Sequence, residues 1–419
     1  MRRVFLDAGP IVHFGNVTRV NEHTLHNTSE SIHESGMGLI VDDDTIIQIS
    51  ESDDLKNEYG STTEEYEVIS LGGSAIIPGL IDSHTHLLWE GDRSFEVSMK
   101  RKGLTYQQIA ESGGGIAYTV NQTRQASSNQ IYLTGRNRLK LSLKNGTTHL
   151  EAKSGYGLTT DTECRLLEVM NDLNKESELP SIDLTWMGAH AIPKNHNLKT
   201  YVEEILSEQL PAILDQGYAR NADVFCEPGW FDLESTEDIL ISASKGGLSK
   251  RLHIDEFEDG DGGRLASDLQ VVTADHAHHT SEVNRITMND NNVNAGFLPG
   301  TPFSQGEKEY PPFQQYIGQN WKWTIATDFN PNCQTLSLPF IGSLLVQRNQ
   351  IHPLAALAAC TVHAAEISPH PSGKSHGTIE KGGLANFNIL KNEHWESWCL
   401  TPGHSPIAGT VLEGKMIIH

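Results

Sequence analysis

Cysteine is scarce in this chain, with five residues in 419 (Cys164, Cys226, Cys333, Cys360 and Cys399), widely scattered and never in a C-x-x-C pair. That excludes a disulfide framework and a thiolate zinc cluster, and it fits a reducing compartment. Any metal must then be held by histidine and carboxylate. Positive charge is also short, with 31 Lys and Arg against 54 Asp and Glu, a formal net charge of −23. Nucleic acid and anionic membranes are poor partners for such a surface. No run approaches the roughly 20 apolar residues of a membrane span. The opening MRRVFLDAGPIVHF is interrupted by Asp7 and followed by no small-residue cleavage site, so no signal peptide is expected. The expected location is cytoplasmic. Fixed-period repeats and low-complexity linkers are absent too.

The length of 419 residues suits one large α/β barrel with a smaller appended domain. Both ends of the chain are β-rich. GLIVDDDTIIQIS (38–50) near the start is matched by LANFNIL (384–390) and GTVLEGKMIIH (409–419), where Glu413-Gly414 marks a turn. This predicts a small β-sandwich assembled from both termini, residues 1–76 and 371–419. Between them, over 77–370, eight strand-like runs alternate with helical stretches such as TECRLLEVMNDLNKES (162–177) and TYVEEILSEQLPAIL (200–214). The runs end in IIPGLIDSH, TTHLEAKS, DLTWMGAH, ADVFCE, SKRLHIDE, QVVTADH, VNAGFLPG and WKWTIATDF. Eight such strands with crossovers predict a (β/α)8 TIM-like barrel.

Polar residues gather at the ends of these strands, the face where barrel enzymes carry their chemistry. The stretch PGLIDSHTHLLWEGDR (78–93) puts His84 and His86 two apart, so in a strand both imidazoles face one space. The third run ends at His190, the fifth carries His253, the sixth ends at His276 and the eighth at Asp328. A lone buried histidine is usually hydrogen-bonded core, but several strand ends of one barrel point to a metal centre. His84, His86, His253 and Asp328 would offer three nitrogens and one carboxylate oxygen and leave a place for water. Zinc accepts that set, and so does iron.

These motifs, together with SGGGIAYTVNQTR, GTTHLEAKSGYGLT, WMGAHAIP, ADVFCEPGWF, LHIDEF and ATDFNP, resemble the imidazolonepropionases over nearly the whole chain. That family belongs to the amidohydrolase superfamily and acts in histidine degradation. The resemblance implies hydrolysis of the cyclic amide of 4-imidazolone-5-propanoate to N-formimidoyl-L-glutamate, one Zn or Fe ion per chain, and a homodimer. It implies His84, His86, His253 and Asp328 as metal ligands, Glu256 as the proton shuttle, and His276 as the group that polarises the carbonyl. Arg93, with a planar fork suited to a carboxylate, would bind the propionate. Tyr156, His190 and Asn330 would be further substrate contacts, as would the residues at 332 and 333, here Asn332 and Cys333.

The chain departs from the family pattern after DFNP, where Asn332 and Cys333 stand in place of Gly and Ser or Thr. Asparagine, like glycine, can adopt left-handed backbone angles, so the turn is expected to survive. Cys333 is a weaker hydrogen-bonding group than a hydroxyl. Lys153 raises the question of a binuclear site with a carboxylated lysine. It ends the second strand, whereas the fourth, where such a lysine belongs, ends in Cys226 and Glu227. The glycine triplet Gly113 to Gly115 follows no strand and lacks the G-x-G-x-x-G pattern, so it reads as a flexible loop near the barrel mouth. A nucleobase aminohydrolase could use the same His/Glu/His/Asp layout, but would have no use for Arg93. A non-catalytic metal-binding scaffold would have no use for Glu256 and His276.

Overall fold

The computed structural model describes residues 2–15 and 17–419. Its middle is an eight-stranded, all-parallel sheet in sequential order. The strands are β1 (Leu80–Thr85), β2 (Thr147–Lys153), β3 (Ser181–Ala189), β4 (Asn221–Cys226), β5 (Ser249–Ile254), β6 (Thr273–His276), β7 (Asn294–Phe297) and β8 (Trp323–Ile325). All eight predicted runs become strands. Nearly every residue of β1 to β8 is buried, as expected for strands covered on both faces. Several strands stop short of the predicted ends, two of them ahead of predicted site residues. β3 stops one residue before His190, and β8 stops three residues before Asp328.

The ring closes between β1 and the segment after β8, without a regular ladder. A parallel bridge joins Thr85 to Phe329. The His86 amide donates to Phe329 O at 2.9 Å and the Asp328 amide to His84 O at 3.1 Å. Below them, Asp82 accepts from the Thr327 amide (2.9 Å) and hydroxyl (2.6 Å), across 245 positions of sequence. This closure brings the first predicted ligand pair, His84 and His86, beside the last predicted ligand, Asp328.

The crossover helices bury one apolar stripe against the sheet. In Thr160–Leu173 the buried set includes Leu166, Leu167, Met170 and Leu173, at three- and four-residue spacing. The predicted helix at 200–214 spans Leu198–Gln216 but widens into a π turn over Ile205–Gln209. Pro211 has no amide hydrogen and crowds the preceding turn, so a regular α ladder cannot run through it. Among the described residues, no helix is long and apolar enough to cross a membrane.

Outside the barrel stand two smaller sheets. One has four strands, in the order Thr45–Glu51, Met37–Asp42, Arg2–Leu6, Tyr66–Ser70. The other has six and joins the two ends of the chain, with Ile76–Pro78 pairing antiparallel to Phe387–Leu390. Phe5 and Phe387 meet edge to face at 5.3 Å between the sheets. The strand Ile76–Pro78 spans the expected boundary at residue 76 and leads straight into β1.

Candidate active site

Five histidines converge above the C-terminal ends of the strands. His84 lies within β1 and His86 just beyond it, and their ring centroids are 5.5 Å apart, as the i, i+2 spacing predicts. His253 comes from β5 and His276 from the end of β6, while His190 stacks on His86 at 4.9 Å. All five rings are largely buried.

Carboxylates decide which ring nitrogens face the centre. His84 donates Nδ1–H to Asp275 Oδ2 at 2.7 Å, and His253 donates Nδ1–H to Asp223 Oδ1 at 2.9 Å. Each ring is thereby fixed in the tautomer whose Nε2 is a free donor for a cation. His84 Nε2 is buried with no hydrogen-bond partner in the described structure. It lies 3.5 Å from Asp328 Oδ1, which is 3.7 Å from His86 Nε2, and His86 Nε2 is 3.5 Å from His253 Nε2. Donors arranged tetrahedrally at ~2.0–2.1 Å around zinc lie about 3.3 Å from one another. His84, His86 and Asp328 are thus close enough together to hold a small cation, with His253 beside His86. His276 is close enough that its donor atom also groups with those of His84 and His253.

Burial pushes the His84, His86 and His276 imidazoles well below their ordinary pKa, and neighbouring positive groups add to the effect. His190 is lowered to about 4, again mainly by burial. Neutral rings are what ligands and hydrogen-bond donors require. Glu256 moves the other way, well above the usual carboxyl range, through burial and then the charges of Asp328 and Glu227. Its Oε2 lies 3.6 Å from His276 Nε2. A raised carboxyl beside a neutral imidazole suits proton transfer near neutral pH.

The backbone itself is unusual here. His276 and Asp328 have φ of +66° and +50°, as does Asp255 at +49°. Non-glycine residues in the left-handed region are uncommon and gather at functional sites. Nothing in the sequence announces these angles.

The centre opens into a cavity of about 560 Å³, and all the predicted substrate residues line it. Tyr156 meets His190 edge-on at 5.1 Å, and His190 donates Nδ1–H to Gly155 O at 2.9 Å. Arg93 is buried and clamped by Glu96, through Nε to Oε1 (2.7 Å) and Nη2 to Oε2 (2.9 Å). Glu96 Oε1 also accepts from the Gly115 amide at 2.7 Å. The glycine triplet is thus the start of the helix Gly115–Gln125, anchoring the Arg93–Glu96 pair, and not simply a loop.

The segment after β8 corrects two expectations. Asn332 is not left-handed. The turn forms because Asn330 Oδ1 accepts from the amides of Asn332 (2.7 Å) and Cys333 (3.2 Å). Asn330 Nδ2 donates to Asp328 O at 2.8 Å, so both of its polar side-chain atoms serve the loop. The Cys333 thiol points to Thr327 O at 3.7 Å, and burial pushes it up to about 12.

Lys153 is fully buried, 2.7 and 2.8 Å from the Glu151 oxygens and 3.2 Å from Asp223 Oδ2. An ammonium held by two carboxylates is not poised for carboxylation. It balances Asp223, which orients His253. Sequence reasoning missed Asp223 and Asp275. Their position as polar residues inside buried strands, Asp223 opposite Arg251 and Asp275 opposite His253, was their only signal. It also missed Thr301, whose hydroxyl donates to Asp328 Oδ2, and Lys100.

No protein-family model matches the chain. Imidazolonepropionase of Solibacter usitatus is 34% identical over 362 residues, covering 85% of each chain. The probable imidazolonepropionase of Homo sapiens is 33% identical over 392 residues, covering 91% of this chain and 90% of its own. Among solved structures, a zinc-bound adenosine deaminase from Xanthomonas campestris superposes with a TM-score of 0.70. It is 14% identical and covers 99% of this chain and 92% of its own, a likeness of fold.

Proposed function

Since the chain belongs to the imidazolonepropionase family, we propose that it hydrolyses the cyclic amide of 4-imidazolone-5-propanoate to N-formimidoyl-L-glutamate. The observation that carries this reading is the pairing of a His–Asp centre with a buried arginine in one cavity. One zinc or iron ion, held by His84, His86, His253 and Asp328, would supply Lewis acidity and bring the pKa of a bound water towards neutrality.

The chain's own residues then divide the work. Glu256 takes a proton from the attacking water and delivers it to the leaving ring nitrogen. A C–O bond forms and the amide C–N bond breaks. Its raised pKa suits it to both halves of that transfer. His276, neutral, donates a hydrogen bond to the carbonyl oxygen as negative charge gathers there. Arg93, held by Glu96, faces the propionate, while Tyr156 and His190 wall the ring. Asn330, Asn332 and Cys333 form the loop that closes this end of the cavity. The five free thiols support a reducing compartment such as the cytoplasm.

The test is metal analysis of the purified protein combined with ultraviolet monitoring of freshly made 4-imidazolone-5-propanoate. One ion per chain and loss of the imidazolone absorbance, with formimidoylglutamate as product, are expected. Turnover of guanine or adenine instead would move the reading to a nucleobase aminohydrolase. Two tightly held ions with a carboxylated Lys153 would overturn the single-ion centre.

A further inference from the structure

Arg93 alone is an incomplete reader of an anion. Its Nε and Nη2 are both committed to Glu96, so one edge of the fork is occupied and the pair carries no net charge. The other charged side chains lining the cavity are Lys100, Glu227, Glu256, Glu258 and Asp328. Only one of these is positive. In a chain of net charge −23, Arg93 and Lys100 are, among the described residues, the only arginine or lysine side chains lining this cavity.

Lys100 lies one turn after Glu96 on the helix Glu96–Arg101. Its Nζ donates to Asn332 Oδ1 at 3.2 Å, and among the described residues no carboxylate lies within ion-pair distance of it. Asn332 is itself pinned by Asn330, on the loop that begins with Asp328. One loop therefore carries a metal ligand at one end and steadies a cation at the other. The summed charge of Arg93, Glu96 and Lys100 is +1, and Lys100 supplies it. Burial lowers its pKa, with Glu96 opposing and Arg93 adding to the shift, the response of an ammonium beside that ion pair.

We propose that Lys100, steadied by Asn332, is the second cation that reads the substrate's propionate and sets the enzyme's preference for a carboxylate. This rests on the imidazolonepropionase reading above. The position is new to that reading because Lys100 falls in MKRKG, a run that looks like an ordinary solvated helix end. Asn332 gains a purpose at the same time. Its amide oxygen accepts from the ammonium, which glycine at this position could not do.

The experiment compares wild type, Lys100→Met, Lys100→Arg and Asn332→Gly on 4-imidazolone-5-propanoate and on its primary amide, with melting temperature as a check on folding. Lys100→Met should raise KM for the acid about 10- to 100-fold, the worth of a hydrogen bond to a charged group. kcat should stay within about threefold, and KM for the amide should hardly change. Lys100→Arg should recover most of the loss, and Asn332→Gly should give a smaller rise of a few fold. Raising the ionic strength should weaken acid binding in wild type more than in Lys100→Met. Equal losses on acid and amide, or an unchanged KM for the acid, would sink the role of Lys100 while leaving the family reading intact. A wild-type protein that hydrolysed neither compound would overturn both together.

Discussion

Histidines cluster at both ends of the barrel, and different partners orient them. At the C-terminal end, Asp275 and Asp223 take the Nδ1 protons of His84 and His253. At the N-terminal end, His149, His370 and His376 bring their rings within 5.2–5.5 Å of one another, also buried. There the partners are mostly neutral, the exception being Glu413, whose Oε1 lies 3.5 Å from His370 Nε2. His149 bonds the hydroxyls of Ser181 (2.7 Å) and Ser368 (3.0 Å), His370 that of Ser372 (2.8 Å), and His376 the Ser368 carbonyl (3.1 Å). Among the described residues, both groups of three ligand atoms that come within 4.8 Å of each other belong to the upper cluster. Proximity and burial are common to the two ends. What distinguishes the upper end is that buried aspartates hold one nitrogen of His84 and His253 while the other nitrogen lies among further ligand atoms.

The largest expected effect separates proton transfer from metal binding within the upper cluster. Glu256→Gln keeps size and hydrogen bonding but removes the titrating group. Turnover should fall at least ~100-fold with metal content unchanged. Near-normal turnover at full metal occupancy would place the base elsewhere. Arg93→Met should lower kcat/KM about 30- to 1000-fold for the acid, and far less for an imidazolone without the carboxylate. Equal losses would mean that Arg93 shapes the cavity without reading charge.

The comparison sharpens with Asp223→Asn, which keeps a partner for His253 but removes the charge. Metal affinity, read by competition with a chelator, should weaken about 10- to 100-fold. Ser181→Ala, which takes a partner from His149, should leave it alone. If both changes weakened metal binding alike, the contrast between carboxylate and hydroxyl partners would fail.

The smallest effect concerns acid sensitivity of the lower cluster. Burial lowers His376 to about 3 from an ordinary 6.5 and pushes His149 well down. Between those values the unfolded chain binds more protons than the folded one. The stabilisation is therefore complete above about pH 6.5 and is lost as pH falls towards 3. His376→Asn should reduce the loss of denaturant stability between pH 7 and pH 5 by about 1 kcal/mol. An unchanged pH dependence would show that this ring protonates without strain in the folded protein.

Much of the barrel was legible because parallel strands covered on both faces read as apolar runs with polar ends. His84, His86, His253 and Asp328 stood out for that reason. What stayed hidden depends on neighbours distant in sequence. Asp223 and Asp275 look like stray acids until the fold sets Asp223 against His253 and Asp275 against His84. Lys100 is exposed in the fold too, and nothing in its own stretch shows that the loop after β8 lies against it. Asn332 was expected to turn through a left-handed angle, whereas the Asn330 side chain makes the turn. The lower histidines, His370 and His376, lie in a glycine- and serine-rich stretch whose sequence gives no sign of a buried cluster.

The closure between Thr85 and Phe329 also governs how this protein is made. On the ribosome His84, His86 and His253 emerge long before Asp328, and Ile76–Pro78 waits for Phe387–Leu390. Until then β1 presents an unpaired apolar edge, and such edges invite association between unfinished chains. Contacts spanning 245 residues form late, because the intervening chain must be ordered first. The surplus of acidic residues then has a use before any substrate is met. Half-built copies repel one another while the barrel waits for its last strand.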